Sequence, residues 1–396
     1  MRVIFFDSDY PAVLQTIYGT KLRQSMRETY DDLLARRNAT LFVRLDYPAE
    51  ALTLAGCEAY GFYFNNLPLQ LAWLKENGRP RRISSASIAR HVGFRLRRFA
   101  SKGRVWADRR FGGRDLAPQS HALFDARNPL VYEIAAEQIS KLKPDLVYNH
   151  NPALVDGRRL KDAAGFNGKL VAQIASPYPA NLDWGCYDLV ISSLPNFVER
   201  FRQLGVPAAY LPLYFAPQVL TEVGSRERDL ALTFVGSVSR DHAARRTFLE
   251  HVANRIQLGL YGALDGEQDG TPLARSYRGP AWGRDMYAVL ARSQLTLNRH
   301  IDIADGYACN LRLFEATGMG ACLLTERRQN LPELFEPGRE VIAYDSVEEC
   351  VDLCRHYMNH RREAAEIASA GQRRCLEHHT VQRHAEKLVT ILHNRL

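Results

Sequence analysis

Short apolar runs alternate with helical patterns along this chain, break once, and then begin to alternate again. Residues 3–6, 58–64, 145–149, 170–174, 189–192 and 210–213 are strand-like, and residues 14–36, 66–76 and 129–142 carry helical spacing. Strands this short and apolar, separated by helices, predict a parallel sheet covered on both faces. The segment 215–229 has little periodicity and reads as a linker. The alternation restarts with strands at 230–235, 257–261, 295–298, 321–324 and 340–344 and helices at 241–254 and 285–292. Three helices, 346–359, 361–375 and 381–392, complete the chain. The expectation is α/β: two doubly wound Rossmann-like domains facing each other across a cleft, with ligands at the carboxyl ends of the strands. At 396 residues two domains are the natural division. The boundaries fall at 1–215, a linker at 216–229, 230–380, and a final helix at 381–396 packing back toward the first domain.

Composition removes several classes. No apolar run approaches the roughly 18 residues a membrane span needs. The first residues, Met1 to Asp7, read as a strand and not as a signal peptide. Seven cysteines without a C-x-x-C pair argue against a disulfide framework and a zinc site, and Cys350 and Cys354 read as residues on a helix face. A cytoplasmic location is expected. The net charge of +8 is concentrated in a basic helical insert: twelve Arg or Lys against two Asp lie between Arg79 and Asp115. Ile88, Val92, Leu96 and Phe99 form an apolar stripe there. The stretch from Arg79 to Arg114 either docks on an anionic membrane surface or packs its stripe on its own domain with the arginines solvated. No nucleic-acid motif accompanies the charge, and no nucleic-acid partner is expected.

The stretch from Asn310 to Thr325 carries the strongest chemical signal. A short helix, with Leu311, Phe314 and Ala316 facing inward, precedes a buried strand, and packing gives no use for Asn310, Arg312 and Glu315. A helix N-terminus suits a phosphate, an arginine beside it adds a bidentate donor, and a glutamate one turn on can accept two ribose hydroxyls. The alternative is a surface helix with one salt bridge. Gly236-Ser237 closes the first strand of the second half, as either a phosphate-approaching turn or a structural one. No lysine occurs between Asp229 and Glu386, which excludes a Schiff-base site in this half. A diphosphate would meet Arg240, Arg245, Arg299 or Arg312. Asp302 and Asp305 are either metal ligands or solvated, Asp7-Ser8-Asp9 is either a D-x-D motif or an acidic loop, and His150 either reaches a cleft or caps.

Phe234-Val235-Gly236-Ser237, Leu297-Asn298-Arg299-His300, Asn310 to Gly318, Leu331 to Gly338 and Ala370-Gly371-Gln372 together resemble the CgeB-like branch of the group 1 glycosyltransferases. Asp9-Tyr10-Pro11, Leu69-Gln70 and Ser192 to Pro195 are similar to the N-terminal half of that family. The resemblance implies the GT-B fold and a sugar nucleotide held mainly by the second domain. It places Glu315 on the ribose, Gly236, Ser237 and Arg312 near the diphosphate, and Arg278-Gly279 beside the base; Arg240 is counted with the donor site as one of the available cations. His300 and Asn310 would lie near the donor sugar, and Asn298 is counted among the donor-binding residues. It implies no metal and no cofactor beyond the donor. Two features depart from it: Tyr307 stands where many relatives carry a second glutamate, and their phosphate-binding lysine is missing.

The expected function is transfer of a sugar from a nucleotide diphosphate to a glycan, glycolipid or surface polysaccharide precursor, lipid-linked acceptors included. An inverting enzyme would need a general base from the first half, Asp9 before His150; a retaining one would need neither. A sugar-nucleotide epimerase and a non-catalytic sugar-nucleotide-binding scaffold are the alternatives.

Overall fold

In a computed structural model, which describes residues 1–78, 126–238, 243–265 and 270–396, the chain divides into two units. Unit 1 comprises Met1–Ile191, Phe201–Ala209 and Val389–Leu396; unit 2 comprises Ser192–Arg200 and Tyr210–Leu388.

The sheet of unit 1 has six strands in the order β2-β1-β3-β4-β5-β6. They are β1 (Arg2–Asp7), β2 (Glu58–Tyr63), β3 (Leu146–Asn149), β4 (Lys169–Gln173), β5 (Leu189–Ser192) and β6 (Ala208–Tyr210). β1 pairs in parallel with both β2 and β3. Val3, Ile4, Phe5 and Phe6 are all buried, as expected of a strand covered on both faces. The helix Pro129–Leu142 begins at Asn128, whose side chain accepts from Leu130 N–H, and stops at Lys143 in the left-handed region.

The sheet of unit 2 has the order β12-β11-β10-β7-β8-β9. Its strands are β7 (Leu230–Val235), β8 (Gly259–Tyr261), β9 (Tyr277–Gly279), β10 (Ser293–Asn298), β11 (Cys322–Glu326) and β12 (Ile342–Tyr344). Every pairing is parallel. One core cluster joins Leu232, Phe234, Leu249, Val252, Leu295 and Leu297 to Cys350 and Cys354, so both cysteines face the core. At roughly 25 cal/mol per Å² of apolar surface, such side chains contribute about 1.5–3 kcal/mol each. The helix Leu311–Gly318 packs against the helix Arg361–His378. Its last residue has no room for a side chain, because a Cβ on Gly318 would lie 2.5 Å from the Phe215 ring.

Several elements differ from the expectation. The helical stretch 14–36 is broken into Pro11–Tyr18, a 3-10 turn, Leu22–Ser25 and Tyr30–Asn38. The segment read as a linker holds the helix Gln218–Val223, which buries Val219 and Val223. Its two buried valines are too few for a visible period. Leu311 does not face inward: it is 37 % exposed in the first turn of its helix. The basic insert from Arg79 to Asp115, with its apolar stripe, lies outside the described residues, as do Arg240 and Asp241.

Candidate functional site

In an open parallel sheet, ligands bind where neighbouring strands send their crossover helices to opposite sides. In unit 2 that point lies between β7 and β10: β7 leads through the helix Ala243–Ala253 to β8, and β10 leads through Leu311–Gly318 to β11 in the other direction. In unit 1 it lies between β1 and β3. Right-handed crossovers put the two connections of each pair on opposite faces and leave a crevice at the carboxyl ends.

In unit 2 this edge is lined by a continuous polar network. Asn310 caps its helix by accepting from Leu313 N–H at 3.1 Å. Its amide donates to Asn298 Oδ1 (2.8 Å) and to the Arg299 carbonyl (3.2 Å). Asn298 in turn donates to Thr325 Oγ1 at 3.0 Å. His300 is 2 % exposed and its two ring nitrogens have assigned roles. Nδ1 accepts from Cys309 N–H at 3.2 Å, which leaves Nε2 as the donor to Thr325 Oγ1 at 3.1 Å. Burial, with Arg328 and then Arg245 and Arg299 nearby, pushes its pKa down to about 3. His300 is therefore a neutral strut for the loop and not an acid or base near neutral pH.

Arg312 and Glu315 occupy the next turn. Arg312 Nε donates to the Val235 carbonyl at 2.9 Å, and Nη1 reaches Glu315 Oε2 at 2.8 Å. Glu315 Oε1 accepts from Tyr287 Oη at 3.2 Å. The side chains of Arg312 and Glu315 are 15 % and 10 % exposed, enough for a ligand to touch both. Beneath them three glycines meet at the ends of β7, β8 and β9. Gly236 N–H donates to Tyr261 O and Gly262 N–H to Gly279 O. Gly262 has φ +127°, and a Cβ there would lie 2.3 Å from the Gly236 carbonyl oxygen. Only glycine lets these backbones approach so closely.

A second row of cations lies along the same edge. Arg245 Nη1 donates to the Ser237 carbonyl at 2.9 Å. Arg299 Nη1 and Arg328 Nη2 share Glu326, at 3.3 and 3.1 Å. The Nε atoms of Arg245 and Arg328 are buried with no partner among the described residues. Burial, followed by the charge of Arg299, lowers the pKa of Arg245. Unpaired guanidinium N–H groups in a cationic row are costly unless an anion completes them. Arg278 instead turns back to the carbonyls of Arg275 and Tyr277.

In unit 1, Asp9 and His150 do not share an environment. Asp9 is 2 % exposed and its carboxylate is fully engaged. Arg37 donates from Nε (3.1 Å) and Nη2 (2.6 Å) to one oxygen, and Asn66 donates to the other at 2.9 Å. The group that meets His150 is Asp7: its Oδ2 lies 3.9 Å from His150 Nδ1, each side chain being 14 % exposed. Burial, opposed by the Ser8 N–H, raises the pKa of Asp7 to about 7.

The structure thus brings Gly236, Ser237, Asn298, Asn310, Arg312 and Glu315 to one edge, with His300 behind it. Gly262, Tyr287 and Arg328 were not singled out in the sequence, and Asp7 was named only as part of Asp7-Ser8-Asp9, with Asp9 and His150 taken as the candidate bases. A glycine at a strand end was a signal for Gly262, and the first acid of Asp7-Ser8-Asp9 for Asp7; Arg328 and Tyr287 had none. Asp302 opens a short 3-10 turn and Asp305 follows it in the left-handed region. Among the described residues no cluster of three or more His, Cys, Asp or Glu is arranged for a metal ion. Nor is any described helix long and apolar enough to cross a membrane.

A family model described as glycosyl transferase-like matches residues 240–390. No curated protein matches the chain. Among solved structures, Anabaena Alr3699/HepE in complex with UDP-glucose is 13 % identical, with a TM-score of 0.55 and 100 % of both chains covered. A glycosyltransferase from Rickettsia africae ESF-5 is 10 % identical, with a TM-score of 0.52, 99 % of this chain and 98 % of that one covered. Sucrose-phosphate synthase from Thermosynechococcus elongatus is 11 % identical, with a TM-score of 0.52, 100 % of this chain and 98 % of that one covered. The fold of this chain, two doubly wound parallel six-stranded sheets, is that of the GT-B glycosyltransferases.

Proposed function

We propose that the chain is a glycosyltransferase of the CgeB-like kind, moving a sugar from a nucleotide diphosphate to an acceptor hydroxyl. The observation that carries this reading is the Arg312–Glu315 pair at the β7/β10 switch point, beside the Gly236–Gly262 backbone. A carboxylate that accepts ribose hydroxyls and a guanidinium that meets a diphosphate sit one turn apart, as a nucleotide requires. Arg245, Arg299 and Arg328 supply the remaining positive charge where relatives use a lysine. The complexes of HepE with UDP-glucose and with UDP support a sugar nucleotide as the ligand class. The matched glycosyl transferase-like segment contains every residue of this edge except Gly236 and Ser237.

Unit 2 would hold the donor and unit 1 the acceptor, without a metal. The leaving diphosphate would carry away the bonding electron pair of the sugar C1–O bond, and the arginines would stabilise its charge. The basic stretch from Arg79 to Arg114 would bring the protein to an anionic membrane surface.

Thermal denaturation against a panel of nucleosides, nucleotide diphosphates and nucleotide sugars tests the donor assignment, since a ligand of the native state raises the melting temperature with occupancy. Glu315→Ala is expected to weaken the binding ligand by about 1.5–3 kcal/mol, the loss of a charged hydrogen-bond pair. Equal affinity of variant and parent for every nucleotide would refute the ribose role. Release of free nucleotide diphosphate with sugar transferred to an acceptor separates this reading from an epimerase or a scaffold.

A further inference from the structure

Tyr287 presents a buried hydroxyl to the carboxylate that the donor reading assigns to a ribose. It lies on the helix Arg284–Arg292, which starts after Gly283, and its N–H donates to the Gly283 carbonyl at 3.0 Å. The residue is 8 % exposed. Its Oη lies 3.2 Å from Glu315 Oε1, and because a carboxylate oxygen only accepts, the phenol is the donor. Burial first, and then the charge of Glu315, raises the Tyr287 pKa well above its ordinary value, so the hydroxyl keeps the proton it donates.

The other carboxylate oxygen has a donor of its own. Arg312 Nη1 donates to Glu315 Oε2 at 2.8 Å, while Arg312 Nε is tied to the Val235 carbonyl at 2.9 Å. Two donors on two oxygens fix the plane of the carboxylate. The tyrosine is braced in turn: its ring lies 6.5 Å from that of Phe215 in an edge-on arrangement. Phe215 also packs against Gly318, the last residue of the helix that carries Glu315. One buried ring therefore supports both the tyrosine and the glutamate helix.

A carboxylate held in this way is sensitive to the number of hydroxyls it is offered. It has about four lone-pair sites. Tyr287 and Arg312 take one on each oxygen, which leaves each oxygen able to accept one ligand hydroxyl. The two vicinal hydroxyls of a ribose satisfy both, whereas a 2′-deoxyribose satisfies one. A freely turning carboxylate would adjust to the single hydroxyl, but Glu315 cannot turn without breaking a hydrogen bond at each oxygen. A site built to bond a hydroxyl disfavours the analogue that lacks it, because a largely buried acceptor is then left without its donor.

We propose that Tyr287 is a positioning residue that sets the specificity of this site: by fixing Glu315 together with Arg312, it makes the site demand both ribose hydroxyls and disfavour 2′-deoxyribonucleotide donors. The inference rests on the donor reading and narrows its substrate class. Tyr287 acts through Glu315 and needs no contact with the reacting atoms.

Isothermal titration calorimetry on the full chain provides the test, with the diphosphates of uridine, adenosine, guanosine and cytidine and their 2′-deoxy and 2′,3′-dideoxy counterparts. For the base that binds best, the ribose form is expected to bind about tenfold or more tightly than the 2′-deoxy form. In Tyr287→Phe, which removes one oxygen and keeps the ring, affinity for the ribose form is expected to fall about tenfold. The dideoxy form, which offers Glu315 nothing, is expected to bind variant and parent alike and so reports that the variant is folded. The preference for ribose over deoxyribose shrinks in Tyr287→Phe and disappears in Glu315→Ala. A tyrosine with a merely structural role would weaken all three forms by the same factor and leave the preference in place, and that result overturns the assignment. Equal binding of ribose and 2′-deoxy forms by the parent also overturns it, while leaving the nucleotide-donor reading standing. No nucleoside diphosphate bound at all would defeat that reading and the inference together.

Discussion

Two ion pairs in this chain look alike on paper and differ in what surrounds them. Arg37 and Asp9 are 1 % and 0 % exposed, and each nitrogen of the guanidinium and each oxygen of the carboxylate has a partner within the fold. Arg312 and Glu315 sit at a rim, at 15 % and 10 %, where a ligand can reach them. The first pair is structural and the second is available for exchange. Removing one member of a closed pair strands the other charge, so Arg37→Met is expected to cost about 3–5 kcal/mol of unfolding free energy. Replacing Asp9 with Leu in the same protein is expected to recover most of that loss. Urea titrations of the two variants check this. A cost near zero for Arg37→Met would mean that Asp9 is free, and would restore it as the proton acceptor expected from sequence.

At the scale of an element, the helix Leu311–Gly318 shows which features a sequence carries. Asn310 before an apolar turn is readable as a cap, and it is one. What the sequence does not carry is the second role of the same amide, donating to Asn298 and to the Arg299 carbonyl across the switch point. Aspartate caps a helix as well as asparagine does, yet it cannot donate. Asn310→Asp is therefore expected to destabilise by about 1–3 kcal/mol near neutral pH, through carboxylate facing carbonyl oxygen. Calorimetry on Asn310→Asp and Asn310→Ser checks it; equal stability of Asp variant and parent would show that the cap is the whole role. The same distinction explains the other misses. Periodicity located the strands other than β9, which is three residues long and not apolar, because one face or both must be apolar, while the meeting of Gly236, Gly262 and Gly279 depends on strand register. Arg328 and Glu326 join Arg299 only because β11 lies beside β10. The inward placement of Leu311 failed for a local reason: in the first turn the apolar stripe of a short helix can end in solvent.

For the whole molecule, the buried histidines of unit 2 and the buried Asp7 of unit 1 are shifted with opposite consequences for stability in acid. Unit 2 holds His300, pushed down to about 3, and His379 and His384, pushed down to about 4, all by burial first. His379 and His384 hydrogen-bond the carbonyls of Leu334 and Pro212, at 2.8 and 2.9 Å, so each donates one N–H and stays neutral. An unfolded histidine takes up a proton near 6.5, whereas these do not until pH is much lower. Their stability is thus fully present above about 6.5 and is lost as pH falls toward 4, at about 1.4 kcal/mol per pH unit for each histidine. Unit 1 carries the reverse case. Asp7 is raised to about 7 from an ordinary value near 3.8, so the folded form holds the extra proton between those limits, and unit 1 gains stability as pH falls through that window. Acidification from 7 to 4.5 is therefore expected to open unit 2 first. Hydrogen exchange, corrected for intrinsic rates, would show amides near His300 and in the helix Arg361–His378 losing protection while β1 and β3 keep theirs. Substituting His384 with Gln, which keeps an amide donor to Pro212 without a titrating group, is expected to reduce the slope by one proton. Parallel loss of protection in both units, or a slope unchanged by His384→Gln, would show that the three histidines do not set the acid limit.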